Sequence, residues 1–108
     1  MTRKSVIVRE RANQDVDDAL THYLTEASEK AALGFLDELE RAYAHIARFA
    51  ETGSNRYAHE LNLPGLRAWH MGSHPYAIFY MSKRDHIDVW RVLHTRRDIP
   101  SWLSETDN

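Results

Sequence analysis

The sequence predicts an α+β fold made of a strand, a helical hairpin, a three-stranded antiparallel meander (β-α-α-β-β-β) and a short C-terminal helical turn. Two observations lead to this prediction. The chain before residue 51 carries two apolar stripes at helical spacing, and the chain after residue 65 carries three strand-like runs joined by short polar turns. Two helices that cover one face of a small sheet bury both kinds of apolar surface.

The first half of the chain holds the first strand and the two helices. Residues 5–9 are short and β-branched, so they form the first strand. Asn13 is the predicted N-cap of the first helix, with Asp15, Asp17 and Asp18 where the helix dipole favours negative charge. Ser28 caps the second helix, which runs to about residue 50. One unbroken helix over this span would reach about 57 Å at about 1.5 Å per residue, far beyond the ~13 Å radius of gyration of so small a domain.

The second half holds the three strands of the meander. Gly72–Pro75 and Ser82–Asp85 are turn-forming and short enough for hairpins. Pro100 suits the first turn of a closing helix, after a possible Asp98 cap. The predicted strands are Leu66–Met71, Tyr76–Met81 and Ile87–His94.

The second strand of the meander is apolar on both sides. Successive side chains of a strand point to opposite faces of the sheet. The helical hairpin covers one face, so the other face is expected to be under-covered and to bind a partner. One side carries Ala77, Phe79 and Met81, and the other carries Tyr76, Ile78 and Tyr80.

Length and composition indicate one soluble domain over residues 1–108. The 108 residues leave little room for a second core, and the chain has no cysteine. An apolar run of membrane-spanning length and a signal-peptide pattern are both absent, so we expect a cytoplasmic protein without membrane contact. The formal net charge of −2 does not favour a protein that binds nucleic acid directly and alone.

The sequence carries no recognisable metal or cofactor motif. His70 and His74 flank a turn, while His86 and Asp88 share a strand face without a third ligand. Neither a phosphate-binding glycine loop nor a nucleophile elbow is present. We therefore predict no metal site and no cofactor.

Arg91 is the most unusual polar residue of the meander. It alternates with Val89 and Leu93 along an apolar strand, and a semi-buried guanidinium there needs a carboxylate. That carboxylate is either structural, such as Asp98, or comes from a binding protein. Other arginines, at positions 67, 84, 96 and 97, and several aromatic residues share this half of the chain. In one interpretation the arginines bind RNA and stabilise charge, while His94 or a tyrosine moves protons. In the other, all of them are ordinary sheet and turn residues.

Four segments together resemble the ParE toxins of the RelE/ParE type II toxin-antitoxin superfamily. The most specific is the run Arg91-Val-Leu-His-Thr-Arg-Arg-Asp98, and the resemblance spans essentially the whole chain. The segments are Ala58-His-Glu-Leu61, Leu66-Arg-Ala-Trp69, Pro75-Tyr-Ala-Ile-Phe-Tyr80 and Asp88–Pro100.

The resemblance implies a toxin of a plasmid-stabilisation type, neutralised by an antitoxin whose flexible C-terminal segment wraps it. ParE-like members poison DNA gyrase by protein contact, whereas RelE-like members cut mRNA on the ribosome. RelE-like nucleases carry several basic residues around the cleavage site, and this chain has only three lysines, so we expect gyrase inhibition without catalysis. In the RelE-like alternative, Arg91 stabilises charge and His94 is the acid or base. A third reading is a binding module that has lost toxicity.

The partner surface is expected in the meander and the closing segment. Trp102 is included because the closing segment can lie over the open sheet face or be displaced from it. The predicted partner-binding residues are Arg67, Trp69, Tyr76, Tyr80, Arg91, Arg96, Arg97 and Trp102.

Overall fold

Four strands form one sheet in the order β1-β4-β3-β2. The computed structural model describes residues 3–96 and 99–104, except for the side chains of Pro100, Trp102 and Ser104. β1 runs parallel to β4, whereas β4, β3 and β2 are antiparallel neighbours. The strands are β1 Ser5–Val8, β2 Leu66–His70, β3 Tyr76–Ser82 and β4 His86–His94. The predicted meander is thereby confirmed, and the first strand joins its edge.

The two long helices form the predicted hairpin, with α1 at Glu10–Glu26 and α2 at Glu29–Arg48. Ser28 caps α2 as expected, because its hydroxyl accepts a hydrogen bond from the amide of Ala31 at 3.0 Å. The predicted Asn13 cap is wrong, since α1 begins directly after β1. The last bond of the β1–β4 ladder runs from the Arg9 amide to the Val89 carbonyl, and the chain turns into the helix there.

One apolar cluster lies between the helical hairpin and the sheet. The strands contribute alternating residues, as the two-sided pattern of the second meander strand predicted. No helix among the described residues is long and apolar enough to span a membrane. The fully buried members include Ala12, Phe35, Ile46, Ile78, Tyr80, Ile87 and Val89.

A second apolar cluster covers the opposite face of the sheet, and the expectation of an under-covered face is wrong. Two short helices lie over this face, α3 at Arg56–Glu60 and α4 at Ile99–Ser104. Ile99 and Leu103 of α4 are 4% and 2% exposed. No helical pattern in the sequence indicates α3, since a helix of five residues is too short to show a helical period. The chain therefore covers both faces itself.

The turn before β2 follows its sequence signature. The amide of Leu66 bonds to the carbonyl of Leu63, and Gly65 between them has a φ of 90°. Proline followed by a residue with positive φ defines a type II turn, and glycine takes that φ without steric cost. This turn directs the chain from α3 into the edge strand of the sheet.

Candidate functional site

A bulge in β4 positions Arg91. Phe79 pairs with Arg91 and Tyr80 pairs with Val89, so Trp90 is an extra residue on β4. The predicted alternation of Val89, Arg91 and Leu93 on one face is therefore wrong. Val89 lies in the helix-side cluster and Leu93 in the opposite one, because the bulge shifts the side-chain phase of the strand.

Arg91 is buried and bound to Asp15 of α1. Its side chain is 1% exposed, and its Nε and Nη2 donate to the two carboxylate oxygens at 2.7 and 2.8 Å. This is a bidentate, charge-assisted pair, which satisfies a guanidinium that burial would otherwise penalise. The predicted need for a structural carboxylate is met by Asp15; Asp98, the carboxylate suggested from the sequence, lies outside the described residues.

Asp15 also closes an open edge of the sheet. β1 ends at Val8, so the amide of Val92 has no strand neighbour on that side, and it donates to Asp15 Oδ2 at 3.0 Å. The sequence did hold a signal for this role. Asp15 falls on the same helical stripe as the buried Ala12, Val16 and Ala19, where a carboxylate needs a partner.

His94 lies at the end of β4 with its ring against Tyr76. The ring centroids are 5.1 Å apart in an edge-on arrangement. Nδ1 of His94 accepts a hydrogen bond from the amide of Arg96 at 3.1 Å. That bond occupies the lone pair of Nδ1. This nitrogen is therefore not placed to take a proton from a substrate.

A cleft of about 280 Å³ opens between α1 and the end of β4. Its lining combines acidic, aromatic and aliphatic side chains, and the described lining residues include neither lysine nor arginine. Asp18 and His22 lie one helical turn apart on its α1 side. The residues that line the cleft include Asp15, Asp18, His22, Tyr76, Val92 and His94.

Tyr80 and Arg67 support the segment that follows α2. Tyr80 is fully buried and donates its hydroxyl hydrogen to the Ala50 carbonyl at 2.6 Å. Burial raises the pKa of this hydroxyl. Arg67 donates to the carbonyls of Glu51 and Gly53 at 3.2 and 2.7 Å. Tyr80 and Arg91 are buried in this fold and Arg67 is half-buried, and the partner roles of Tyr80 and Arg91 stay predictions.

The remaining predicted partner-binding residues are scattered. Trp69 stacks on His45 of α2 with ring centroids 4.3 Å apart, and Arg96 is exposed after β4. Tyr76 is 8% exposed and belongs to the helix-side cluster. Arg97 and the side chain of Trp102 lie outside the described residues. The structure therefore brings together Tyr76 and His94, while the partner roles of Trp69, Arg67 and Arg96 stay predictions.

Two further polar clusters join residues that are far apart in the sequence. Arg9 forms a bidentate pair with Asp88 at 3.0 and 2.9 Å, and its guanidinium lies 4.7 Å from the centre of the Trp90 ring. Burial opposes ionisation of Asp88, but the hydrogen bonds and charge of Arg9 outweigh it, so the pKa of Asp88 is lowered. These partners lie 79 residues apart in sequence, which no local pattern reveals.

The second cluster fastens the β2–β3 turn to α2. Glu38 accepts hydrogen bonds from the amides of Gly72 and Ser73 at 2.8 and 2.9 Å, and Nδ1 of His74 lies 2.5 Å from its other oxygen. Burial raises the pKa of Glu38, but the bonds from His74 and from the two amides outweigh it, and the net pKa is lowered.

The histidines weighed as metal ligands are engaged elsewhere or isolated. His74 binds Glu38, His86 binds Asp85 at 2.8 Å, and His70 is exposed. Among residues 3–96 and the described part of α4, no three His, Asp or Glu residues converge in a way that could hold a metal ion.

The fold resembles that of a chain in a solved toxin-antitoxin structure. A chain of the solved structure described as "Chromosomal ParDE TA system from P. aeruginosa" superposes with a TM-score of 0.73 at 19% sequence identity. The superposition covers 87% of this chain and 98% of that one. No curated protein matches the sequence.

The family follows from the sequence match. The ParE toxin family, described as "ParE toxin of type II toxin-antitoxin system, parDE", matches residues 6–99. Because that match spans most of the chain, the protein belongs to the ParE toxin family of type II toxin-antitoxin systems.

Proposed function

We propose that this protein is a cytoplasmic toxin that inhibits DNA gyrase by protein contact, without catalysis, and that a cognate antitoxin neutralises it. One observation favours a protein target over cleavage of RNA. Arg91, the residue that a nuclease would use to stabilise charge on a phosphate, is 1% exposed and bound to Asp15 through two hydrogen bonds. To bind a phosphate it would have to leave a buried carboxylate without its counter-charge.

The other candidate nuclease residue supports the same choice. The amide of Arg96 donates to Nδ1 of His94 at 3.1 Å, so the lone pair of that nitrogen is occupied. A general base must offer a lone pair within reach of the proton that it removes. The cleft beside His94 also carries Asp18, whose negative charge would repel RNA.

A supercoiling assay tests the gyrase target. Purified toxin is titrated into gyrase with relaxed plasmid, and the expected result is loss of supercoiling or accumulation of cleaved DNA. A reaction with a type I topoisomerase in place of gyrase controls for direct damage to DNA. Full supercoiling at saturating toxin would contradict the proposal.

Induction of the toxin in cells separates it from the mRNA endonuclease alternative. We expect DNA breakage to appear before any loss of full-length transcripts. Early transcript cutting that is abolished by His94→Ala, in a variant whose circular dichroism spectrum matches the wild type, would establish the nuclease instead. Growth that continues normally at high toxin levels would indicate a binding module without toxicity.

A further inference from the structure

We propose that the cleft between α1 and the end of β4 binds the side chain of an arginine or lysine presented by the antitoxin. The proposal rests on the proposed function only for the identity of the partner. The cleft itself is a feature of this chain, lined by Asp18, His22, Tyr76, Val92 and His94.

The charge of the cleft favours a cation. Arg91 neutralises Asp15 at the back of the cleft, so Asp15 contributes little net charge. Asp18 is exposed, and among the described residues it forms no ion pair with a lysine or arginine. α1 as a whole carries five acidic residues and a single arginine, Arg11. An incoming cation therefore meets a negative helix surface and a carboxylate at the cleft.

The shape and chemistry of the wall favour a long basic side chain over a small ion. The described residues hold no cluster with metal-ligand geometry. Val92 and Ala19 supply aliphatic surface for a methylene stem, and the rings of Tyr76 and His94 supply aromatic surface for the charged head. A volume of about 280 Å³ is ample for one such side chain.

The antitoxin is the partner that fits this chemistry. A nucleic acid would bring phosphates to a surface of the wrong sign. Membership of a two-component toxin-antitoxin family implies a protein partner. Flexible segments that fold on binding gain specificity from a few anchoring side chains, and an acidic cleft selects a basic anchor.

A titration of the full-length toxin with N-acetyl-arginine amide tests the cleft without knowledge of the antitoxin sequence. Ring resonances of His22, His94 and Tyr76 report binding by NMR. N-acetyl-citrulline amide, which is nearly the same shape without the charge, is the matched probe. We expect saturable shifts with the arginine probe and at least fivefold weaker shifts with citrulline, as for loss of a solvent-accessible ion pair at about 1 kcal/mol.

Two variants localise the effect. Asp18→Asn is expected to weaken binding of the arginine probe about fivefold. Asp17→Asn removes the same charge from the neighbouring exposed position, which does not line the cleft, and is expected to leave binding within twofold. Both residues are exposed, so neither change should unfold the protein.

Three outcomes would overturn the proposal: no saturable shift with the arginine probe, equal binding of citrulline, or equal weakening by the two variants. Displacement of the probe by a short RNA oligonucleotide from the same resonances would also overturn it in favour of a nucleic-acid site. If the probe does not bind but the toxin inhibits gyrase, the cleft proposal is wrong and the gyrase proposal stands. If the probe binds at the cleft but the toxin does not inhibit gyrase, the gyrase proposal is wrong and the cleft proposal stands.

Discussion

Asp15 joins α1 to two groups of β4 through one carboxylate. It accepts from the side chain of Arg91 and from the amide of Val92. Breaking a buried ion pair by removing the charge of one partner costs far more than the net gain from the intact pair.

Substitution of Asp15 tests this arrangement. Asp15→Asn is expected to lower the free energy of unfolding by about 3–5 kcal/mol, since it removes the carboxylate charge that the buried Arg91 guanidinium faces. The double variant Asp15→Leu, Arg91→Met should cost less than either single change, because the buried Arg91 charge is removed as well. Urea denaturation measures all of these. Asp17→Asn, at an exposed position, is the control. If the Asp15→Asn protein is as stable as this control, Asp15 does not stabilise the fold through Arg91.

Glu38 makes stability depend on pH in the acidic range. Because its folded pKa is lowered, the stability that Glu38 contributes is fully present above its ordinary pKa of 4.5 and is lost as the pH falls through the folded pKa. Glu38→Gln is expected to cost about 1.5 kcal/mol at neutral pH, and the difference from the wild type should shrink below about pH 4.5. Denaturation curves of both proteins, recorded from neutral pH to below pH 4.5, measure this difference in the free energy of unfolding. Glu40→Gln, on an exposed position of the same helix, should show neither effect.

At the scale of elements, the segment after α2 is held close against β3. A Cβ at Gly53 would collide with the Tyr80 hydroxyl, whereas a Cβ at Gly34, in the middle of α2, would meet nothing within 4 Å. Substitution by alanine should therefore change the free energy of unfolding in opposite directions at the two glycines.

Gly53→Ala is expected to lower the unfolding free energy by about 1–3 kcal/mol through overpacking, and Gly34→Ala to raise it by about 0.5–1 kcal/mol through helix propensity. Thermal and urea denaturation give both values. In the Tyr80→Phe background the cost of Gly53→Ala should fall, since the colliding oxygen is gone. An undiminished cost there would argue against the clash.

α4 is the element that completes the cover of the second sheet face. Leu103→Ala is expected to lower the free energy of unfolding by about 2–4 kcal/mol, because it removes a side chain that is 2% exposed from the second apolar cluster and leaves a cavity. Leu33→Ala, at a leucine that is 60% exposed, is the matched control and should change stability by less than about 0.5 kcal/mol. If the two variants unfold at the same urea concentration, α4 does not cover the sheet in solution.

At the scale of the whole molecule, the two apolar clusters share the central strands. β3 sends Ile78 and Tyr80 into the helix-side cluster and Ala77 and Phe79 into the other. Loss of the central pairing therefore exposes both clusters at once.

We expect a single cooperative unfolding transition in which far-UV circular dichroism and tryptophan fluorescence coincide. Variants on either side of the sheet, Asp15→Asn and Leu103→Ala, should both shift this one transition without splitting it. Two separate transitions in either variant would show that the sides unfold independently.

The order of the elements and the apolar pattern on both sides of the central strand follow from local sequence. The helical periods and the Ser28 cap are local features, and the pattern from Tyr76 to Met81 assigns each residue to one face. The family resemblance also depends on local runs and was recovered from them. Part of the candidate site is predictable in the same way, since the pattern around Arg91 predicts a semi-buried cation in need of a carboxylate.

The cover of the second face and the carboxylate that binds Arg91 depend on packing between distant parts of the chain. The cover comes from α3 and α4, two helices too short to show a period in the sequence. Asp15 lies 76 residues before Arg91, and the bulge at Trp90 sets the phase of the strand that brings them together. Contacts at such separation depend on strand order, register and helix placement, which are set by the summed burial of the chain rather than by any local pattern.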